Sequence, residues 1–214
     1  ANIACGGHAG DPSTMRHCVE LAKRHKTEIG AHVSYPDKQG FGRRAMDLRG
    51  QELVDLMLYQ LGALDGIARA CGSRVTFVKP HGALYHAVLA DSGIMNDIMR
   101  AVSYWHSDLE LVVLATPRDR KTLQLAVEHG LTLRYEAFAD RGYTSRGLLL
   151  GRDKPGALLS PNEAAKQAVA ISQNKLRTAR GKRIPVSADT LCVHSDTPGA
   201  IKMIRAIRQA LDGN

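Results

Sequence analysis

The chain has 214 residues, 44% of them hydrophobic, and a formal net charge of +8 at pH 7. One α/β domain is the simplest organisation for this length, and no apolar run reaches the ~18 residues that a membrane helix needs. Four scattered cysteines form no CxxC pair, which favours free thiols over a disulfide framework or a zinc knuckle. Nothing resembles a signal peptide, so we expect a cytoplasmic protein.

The positive charge does not predict a nucleic-acid partner. The densest basic run lies between Lys175 and Arg183 and carries no interleaved aromatic residues, although a base-stacking platform requires them. A solvated loop is the favoured interpretation of this run, and a non-catalytic nucleic-acid-binding protein is the weaker alternative. We therefore expect a small-molecule substrate, no nucleic-acid partner and no membrane partner.

Strand-like and helix-like segments alternate along the chain. The predicted strands are Asn2–Cys5, Thr27–Ala31, Val75–Val78, Leu109–Leu114, Leu131–Phe138 and Ile184–Val193. The predicted helices are Ser13–Lys26, Gln51–Cys71, Asp91–Trp105, Pro117–His129, Pro161–Arg177 and Pro198–Leu211. This alternation predicts parallel strands with right-handed crossovers. It fits an irregular barrel or an open doubly wound sheet.

Four dipeptides pair an N-cap residue with a proline suited to the first helical position. They are Asp11-Pro12, Thr116-Pro117, Ser160-Pro161 and Thr197-Pro198. Ser160 and Glu163 also have the spacing of a capping box. The segment 143–160 is rich in glycine and arginine, which predicts a long loop or a short hairpin.

Four histidines directly follow predicted strands and have glycine or proline nearby. They are His8, His32, His81 and His194. Catalytic barrels carry their reactive groups at the carboxyl ends of the strands, so we predict that these histidines share one site. The remaining histidines fall within or near helix-like stretches, where surface or structural roles are expected; they are His17, His25, His86, His106 and His129.

Two kinds of chemistry remain open for the four strand-end histidines. Neutral imidazole is a common ligand for divalent transition metals, and imidazole also suits acid–base catalysis near neutral pH. No pair has the i, i+4 helical spacing of a zinc protease. A divalent metal is therefore one option, and the histidines alone do not decide between the two roles.

Charged residues near the same strand ends are further candidates. Lys79 and His81 flank Pro80 on an extended segment, so both side chains should face the site, where the Lys79 ammonium can bind an anion or stabilise an oxyanion. Asp11 can act in the site or cap the helix at Pro12. Asp196 can orient His194 or serve as a second capping group.

Two arginine-containing segments complete the set. Glu136, Asp140 and Arg141 close a predicted strand, although Asp140 and Arg141 also suit a turn with a surface ion pair. Arg43 and Arg44 follow a glycine-containing segment that can bring guanidinium groups over an anionic ligand. The chain has no P-loop and no GxSxG motif, so ATP, if used, is not bound in a P-loop.

At these residues the chain resembles the LamB/YcsF family. The matching segments are NIACGGHAGDP at 2–12, IGAHVSYPDKQGFGRR at 29–44, YQLGAL at 59–64, VKPHGALY at 78–85, EAFADRGY at 136–143 and DTLCVHSDTPGA at 189–200. The chain departs from the family pattern at Gly7, Val33 and Ser195, where the family usually has Phe, Pro and Gly. A family motif similar to Asp-Leu-Asn-Cys-Asp-Leu-Gly-Glu, which ends a first strand, would precede Asn2 and is absent.

The resemblance implies a fold and an activity. The fold is an irregular seven-stranded β/α barrel similar to that of polysaccharide deacetylases, here as a single domain over 1–214 with its first strand missing. The activity is that of the A subunit of an ATP-dependent 5-oxoprolinase, a hydrolase of the cyclic amide C–N bond, which opens 5-oxoproline (pyroglutamate) to glutamate together with B and C subunits. A metal-dependent deacetylase or carbohydrate hydrolase on the same barrel is the alternative.

The residues and the resemblance together give a predicted site. The predicted catalytic residues are His8, Asp11, His32, Lys79, His81, His194 and Asp196. The predicted substrate-binding residues are Arg43, Glu136, Asp140 and Arg141. ATP is the expected co-substrate, and the sequence does not assign the acid and base roles to individual residues.

Overall fold

Strands and helices alternate along the chain as the hydrophobic pattern predicts. The computed structural model describes residues 1–105, 108–117, 120–197 and 199–213. The strands are β1 (Asn2–Ala4), β2 (Ile29–His32), β3 (Val75–Val78), β4 (Glu110–Leu114), β5 (Leu133–Phe138) and β6 (Thr190–Cys192). The helices are α1 (Pro12–Arg24), α2 (Gly50–Ala70), α3 (Gly82–Ala90), α4 (Ser92–Ser103), α5 (Arg120–Glu128), α6 (Pro161–Ser172) and α7 (Ala200–Asp212).

The strand order follows the chain, β1-β2-β3-β4-β5-β6. The pairs β1/β2, β2/β3, β3/β4 and β5/β6 are parallel. The predicted α/β class with parallel strands is therefore confirmed. The seventh strand and the likeness to polysaccharide deacetylases stay predictions. No helix among the described residues is both long and apolar enough to cross a membrane.

The chain divides into two compact units. Unit 1 comprises Ala1–Val112 and Arg120–Leu133, and unit 2 comprises Val113–Asp119 and Arg134–Asn214. The interpretation as one domain stays a prediction, and each unit is described by itself.

In unit 1, the sheet register brings three strand ends together. Ala4 of β1 lies beside His32 of β2, and Ala31 of β2 lies beside Val78 of β3. Because parallel strands run in the same direction, the segments that follow β1, β2 and β3 leave the sheet at one edge. The three histidine-containing segments of this unit are thereby placed next to one another.

In unit 2, the register aligns the ends of β5 and β6. Phe138 lies beside Cys192, so Asp140 and His194 each follow the aligned pair by two residues. The helices α6 and α7 pack beneath these ends on a small apolar core, which includes Ala164, Ala168, Met203 and Ile207. The packing fixes the backbone that carries the two polar residues.

Two predicted helix starts are confirmed by their capping groups. Asp11 accepts a hydrogen bond from the backbone N–H of Thr14 at the start of α1. Ser160 and Glu163 form the predicted capping box at the start of α6. Such caps satisfy N–H groups that have no partner within the helix.

The other two predicted starts fall beside residues that are not described. Residues 118–119 lie outside the described part of the chain, and α5 begins at Arg120. Pro198 also lies outside it, and α7 begins at Ala200.

The prediction of a strand from Ile184 to Val193 was too long. Only Thr190–Cys192 forms β6. The basic run before it folds into a local turn, in which Arg177 and Arg183 form an isolated antiparallel bridge and the Ile184 N–H donates to the Leu176 carbonyl. Because these local hydrogen bonds use the backbone groups of the segment, it does not form a continuous strand.

Helix α3 was not predicted. Its sequence, GALYHAVLA, is apolar on all sides and shows no amphipathic stripe, so periodicity did not reveal it. Gly82 begins the helix with a φ of +55°. A Cβ at this position would lie 2.4 Å from the carbonyl oxygen of Gly42, so the close approach of two backbones requires glycine.

Candidate functional site

Three of the four predicted histidines meet in unit 1. His8 lies in the loop after β1, His32 ends β2, and His81 is the N-cap of α3. One ring nitrogen of each lies within 4.8 Å of one ring nitrogen of both others. The rings of His8 and His81 are stacked, with centroids 3.7 Å apart, and His32 meets both edge-on. We call these three residues the histidine cluster.

Hydrogen bonds to backbone carbonyls determine the tautomers in the cluster. His32 donates from Nδ1 to the Lys79 carbonyl at 2.9 Å, and His81 donates from Nε2 to the Phe41 carbonyl at 2.8 Å. A carbonyl oxygen only accepts, so both of these nitrogens carry hydrogen. The nitrogens left over, His32 Nε2 and His81 Nδ1, face each other at 3.1 Å.

Burial keeps His8 and His32 neutral. Burial, followed by the charges of His81 and Arg43, lowers the pKa of His8 to about 3. Burial also holds the pKa of His32 well below its usual range, and the nearby charge of Lys79 adds to this. Neutral imidazoles are the form that accepts a proton or binds a metal.

Lys79 is a buried cation behind the cluster. Its side chain is only 5% exposed, which rules out an exposed surface lysine. Its backbone N–H donates to Ala31 of β2 and its carbonyl accepts from His32, so the residue is held on both sides. The Lys79 charge and the histidine cluster thus belong to one local environment.

A short loop covers the histidine cluster. We call residues 37–44 the covering loop. Asp37 holds it closed by accepting hydrogen bonds from Gly40 and Arg44, and the Arg44 guanidinium forms an ion pair with the same carboxylate. The hydrogen bonds from Arg44 lower the pKa of Asp37 to about 2. A Cβ at Gly42 would lie 2.8 Å from the Cβ of His8, so the loop fits closely over the cluster.

Gln60 supports the cluster from below, and the sequence interpretation missed this role. This fully buried residue of α2 accepts from the Ser34 N–H at 3.0 Å and donates to the Ser34 carbonyl at 2.8 Å. A Cβ on Gly7 would lie 2.4 Å from Gln60 Oε1. Gln60 therefore fixes the segment after His32 and packs against the residue before His8. A buried polar residue amid the apolar face of α2 was the available signal.

The fourth predicted histidine, His194, lies in unit 2 and pairs with Asp140. Asp140 Oδ2 accepts from His194 Nδ1 at 2.9 Å and from the His194 backbone N–H at 3.1 Å. Asp140 is fully buried. Burial opposes its ionisation, but the hydrogen bonds from His194 prevail and lower the pKa of the carboxyl. The Nδ1–H therefore points at the carboxylate, and Nε2 is the atom of His194 that is left to accept a proton.

Asp140 thus holds the position that the sequence suggested for Asp196. Asp196 is exposed and lies 3.8 Å from Arg152 in a surface ion pair. The interpretation of Asp140 and Arg141 as a surface ion pair in a turn is wrong, because both side chains are buried. The reason is the aligned register of β5 and β6, which places Asp140 beside His194.

The remaining predicted residues of unit 2 are buried near the end of β5. Glu136 is on β5 itself. Arg141 donates to the carbonyls of Leu150 and Ala157 and thereby fixes segment 143–160. Gln167 of α6, which the sequence interpretation also missed, donates to the carbonyls of Phe138, Ala139 and Arg141. Substrate binding by Glu136, Asp140 and Arg141 stays a prediction.

Asp11 and Arg43 are the last predicted residues, and both are in unit 1. Asp11 is exposed and caps α1, as its alternative interpretation proposed. Arg43 is exposed on the covering loop, with its Cζ 5.3 Å from the centroid of the Phe41 ring. Their roles in the site, and the membership of both histidine groups in one site, stay predictions.

Comparison with known proteins agrees with the motifs. The LamB/YcsF family model matches residues 1–214. A Pseudomonas putida protein, named as the second 5-oxoprolinase A subunit of that organism, is 47% identical over all of this chain and 83% of its own length. A Chromohalobacter salexigens protein named as a 5-oxoprolinase A subunit is also 47% identical, over 100% and 86% of the two chains. The crystal structure of a lactam utilization protein from Thermus thermophilus matches with a TM-score of 0.91 at 40% identity, over 100% of this chain and 85% of that chain.

Proposed function

This chain belongs to the LamB/YcsF family, and we propose that it is the A subunit of a 5-oxoprolinase. It acts as a hydrolase on the cyclic amide C–N bond of 5-oxoproline and yields glutamate. Relatives that are named as 5-oxoprolinase A subunits align along essentially the whole chain. The observation that carries the proposal is the histidine cluster beside the buried Lys79.

The chemistry of the substrate explains why such a cluster is useful. An unstrained five-membered lactam resists hydrolysis, and phosphorylation of its carbonyl oxygen by ATP, which releases ADP, makes the carbonyl carbon a better electrophile. Water then adds to this carbon, the C–N bond breaks to give a ring-opened acyl phosphate, and a second water releases phosphate and glutamate. Hydrolysis then needs a base to activate water and a fixed cation for the developing oxyanion. In this proposal the histidine cluster activates the water, and Lys79 is the cation.

Unit 2 offers a separate acid–base group. The Asp140–His194 pair has the arrangement of a carboxylate that orients an imidazole, which leaves Nε2 to exchange a proton. Protonation of the departing ring nitrogen is the step that such a group can perform. The proposal assigns this role to His194 and the orienting role to Asp140.

The wider proposal concerns ATP, the partners, the fold and the compartment. ATP is the co-substrate, and it binds outside a P-loop because the sequence contains none. The B and C subunits complete the enzyme, since the relatives are named as subunits. We further propose a cytoplasmic location and an irregular seven-stranded barrel similar to that of polysaccharide deacetylases.

The test is glutamate release from 5-oxoproline by the full-length protein mixed with its B and C partners. We expect glutamate to form only when ATP and all three subunits are present. Absence of turnover in a complex whose assembly has been verified would contradict the proposal. Omission of each component in turn is the control, because it separates a missing partner from a wrong substrate.

A metal-dependent deacetylase or carbohydrate hydrolase is the second candidate, favoured by the geometry of the histidine cluster. It predicts acetate release from an acetylated sugar without ATP. An assay of both reactions with the same preparation distinguishes the two functions. Acetate release in the absence of ATP, without glutamate formation, would favour the deacetylase or carbohydrate hydrolase over the 5-oxoprolinase.

A further inference from the structure

We propose that the histidine cluster of unit 1 binds one divalent transition-metal ion through a ring nitrogen of His8, His32 and His81. The inference goes beyond the hydrolase proposal, because it rests on the arrangement of donor atoms and not on the substrate. It concerns residues on three different strand ends whose sequence spacing contains no metal motif.

The first argument is the orientation of the two closest imidazoles. The N–H groups of His32 and His81 are directed at the carbonyls of Lys79 and Phe41. Their other nitrogens face each other at 3.1 Å. A cation bound by both nitrogens fits this close approach.

The second argument is the resemblance of these carbonyls to the outer partners of metal sites. A metal-bound histidine almost always donates its second ring N–H to a carboxylate, a backbone carbonyl or water, which fixes the tautomer and orients the ring. Both His32 and His81 have such a carbonyl. The Phe41 carbonyl lies on the covering loop, which is in turn held by Asp37.

His8 supplies the third nitrogen. Among the residues that the structure describes, none forms a hydrogen bond to His8 Nδ1, although this atom is buried. Metal–nitrogen bonds of 2.0–2.1 Å in a tetrahedral site place two nitrogens about 3.4 Å apart. The His32–His81 pair is already near this spacing. A ring nitrogen of His8 lies within 4.8 Å of one nitrogen of each of the other two rings, and turning this ring breaks no hydrogen bond at Nδ1 to a described residue.

Two nearby cations constrain what else the metal binds. The Lys79 carbonyl accepts from His32. Arg43 Cζ lies 5.3 Å from the centroid of the Phe41 ring, and that centroid is 5.3 Å from the ring centroids of His8 and His81. Positive charges beside a dication are stable only if an anion joins them. Three imidazoles leave one tetrahedral position open. That position should take an anionic oxygen, such as hydroxide, a carboxylate or a phosphoryl group.

Metal binding can be measured on the purified chain with the metal alone. After removal of metal with a chelator, titration with Zn²⁺ should show about one equivalent bound and should raise Tm, since a ligand of the native state stabilises it. Co²⁺ should give the strong visible absorption of a tetrahedral site. No calorimetric signal, no Tm shift and no such absorption would overturn the proposal.

Variants assign the binding to the cluster. His32→Gln and His81→Gln should each weaken Zn²⁺ binding about 100-fold or more, because loss of an outer partner alone costs 10–100-fold. His17→Gln is the matched control, since His17 is an exposed histidine of α1, and its affinity should match that of the wild type. Circular dichroism verifies that each variant is folded. If His32→Gln or His81→Gln is not folded, His8→Gln replaces it in the Zn²⁺ titration. Unchanged affinity in a folded cluster variant would contradict the proposal.

Discussion

At the scale of residues, burial distinguishes Lys79 from the other lysines of the chain, which are exposed. The residue is only 5% exposed, and taking a charge out of water costs free energy. Its position at the end of β3 places that charge beside His32. In the proposed reaction the charge stabilises the oxyanion.

Replacement of Lys79 tests this role directly. Lys79→Met keeps the apolar stem and removes the charge, so turnover of the assembled enzyme should fall on the order of 10²–10³-fold. Circular dichroism and Tm verify that the variant is folded. Lys38→Met is the control at an exposed lysine of the same unit. Near-normal turnover of Lys79→Met would make Lys79 a structural residue.

The Asp140–His194 pair gives a second prediction at this scale. Asp140→Asn removes the carboxylate that holds the Nδ1–H of His194, so turnover should fall by at least about 10²-fold. Asp196→Asn alters the exposed carboxylate that the sequence favoured and should change little. The kinetics of both variants, together with the double variant Asp140→Asn/His194→Gln, check this. Losses that multiply in the double variant would show that the two residues act separately.

At the scale of elements, the covering loop depends on one carboxylate. Because the pKa of Asp37 is lowered to about 2 in the folded protein by Arg44, the folded form binds fewer protons than the unfolded form between that value and the ordinary pKa of about 4. The Asp37–Arg44 interaction therefore adds stability above about pH 4, and this stability is lost as the pH falls toward 2.

Asp37→Asn should remove this part of the pH dependence. Urea unfolding at pH 5 and at pH 3 is the measurement, and the wild type should lose more stability between these values than the variant. The difference should shrink at high salt if exposed charge contributes to it. Parallel pH profiles of the two proteins would mean that Asp37 does not stabilise the loop through its charge.

Gln60 gives a second prediction at the scale of elements. Gln60→Leu leaves the buried N–H and carbonyl of Ser34 without their partner, at a cost on the order of 1–3 kcal/mol for each group. The change should be visible in the free energy of unfolding from urea titration. Gln51→Leu, at an exposed position of the same helix, should cost little. Equal stability of the two variants would contradict the supporting role of Gln60.

The sequence predicted those elements whose patterns are local. Strand ends were recognisable because a histidine or a lysine directly follows an apolar run. Helix starts were recognisable because Asp11 and Ser160, which are N-cap residues, each precede a proline. Helix α3 lacks an amphipathic stripe and was missed. The supporting glutamines, Gln60 and Gln167, were missed because their partners are carbonyls and amides distant in the chain.

At the scale of the whole molecule, the sequence predicted which histidines lie close together better than it predicted which residue hydrogen-bonds to His194. His8, His32 and His81 were proposed from their positions after strands, and the register of β1, β2 and β3 brings them together. The partner of His194 was wrongly expected nearby in sequence, yet it is Asp140, 54 residues away. Such pairs depend on which strands are neighbours in the sheet and on their register. No local sequence pattern encodes the order or the register of the strands.

The central claim is that this chain supplies the hydrolytic residues of an ATP-dependent 5-oxoprolinase. Its most direct test compares glutamate formed from 5-oxoproline by complexes with the B and C subunits that differ only at His81. We expect the wild type and the His17→Ala control to form glutamate with ATP consumption, and His81→Ala to be slower on the order of 10²–10³-fold in a folded, intact complex. Wild-type turnover in the His81→Ala complex, or no turnover in any intact complex, would contradict the account.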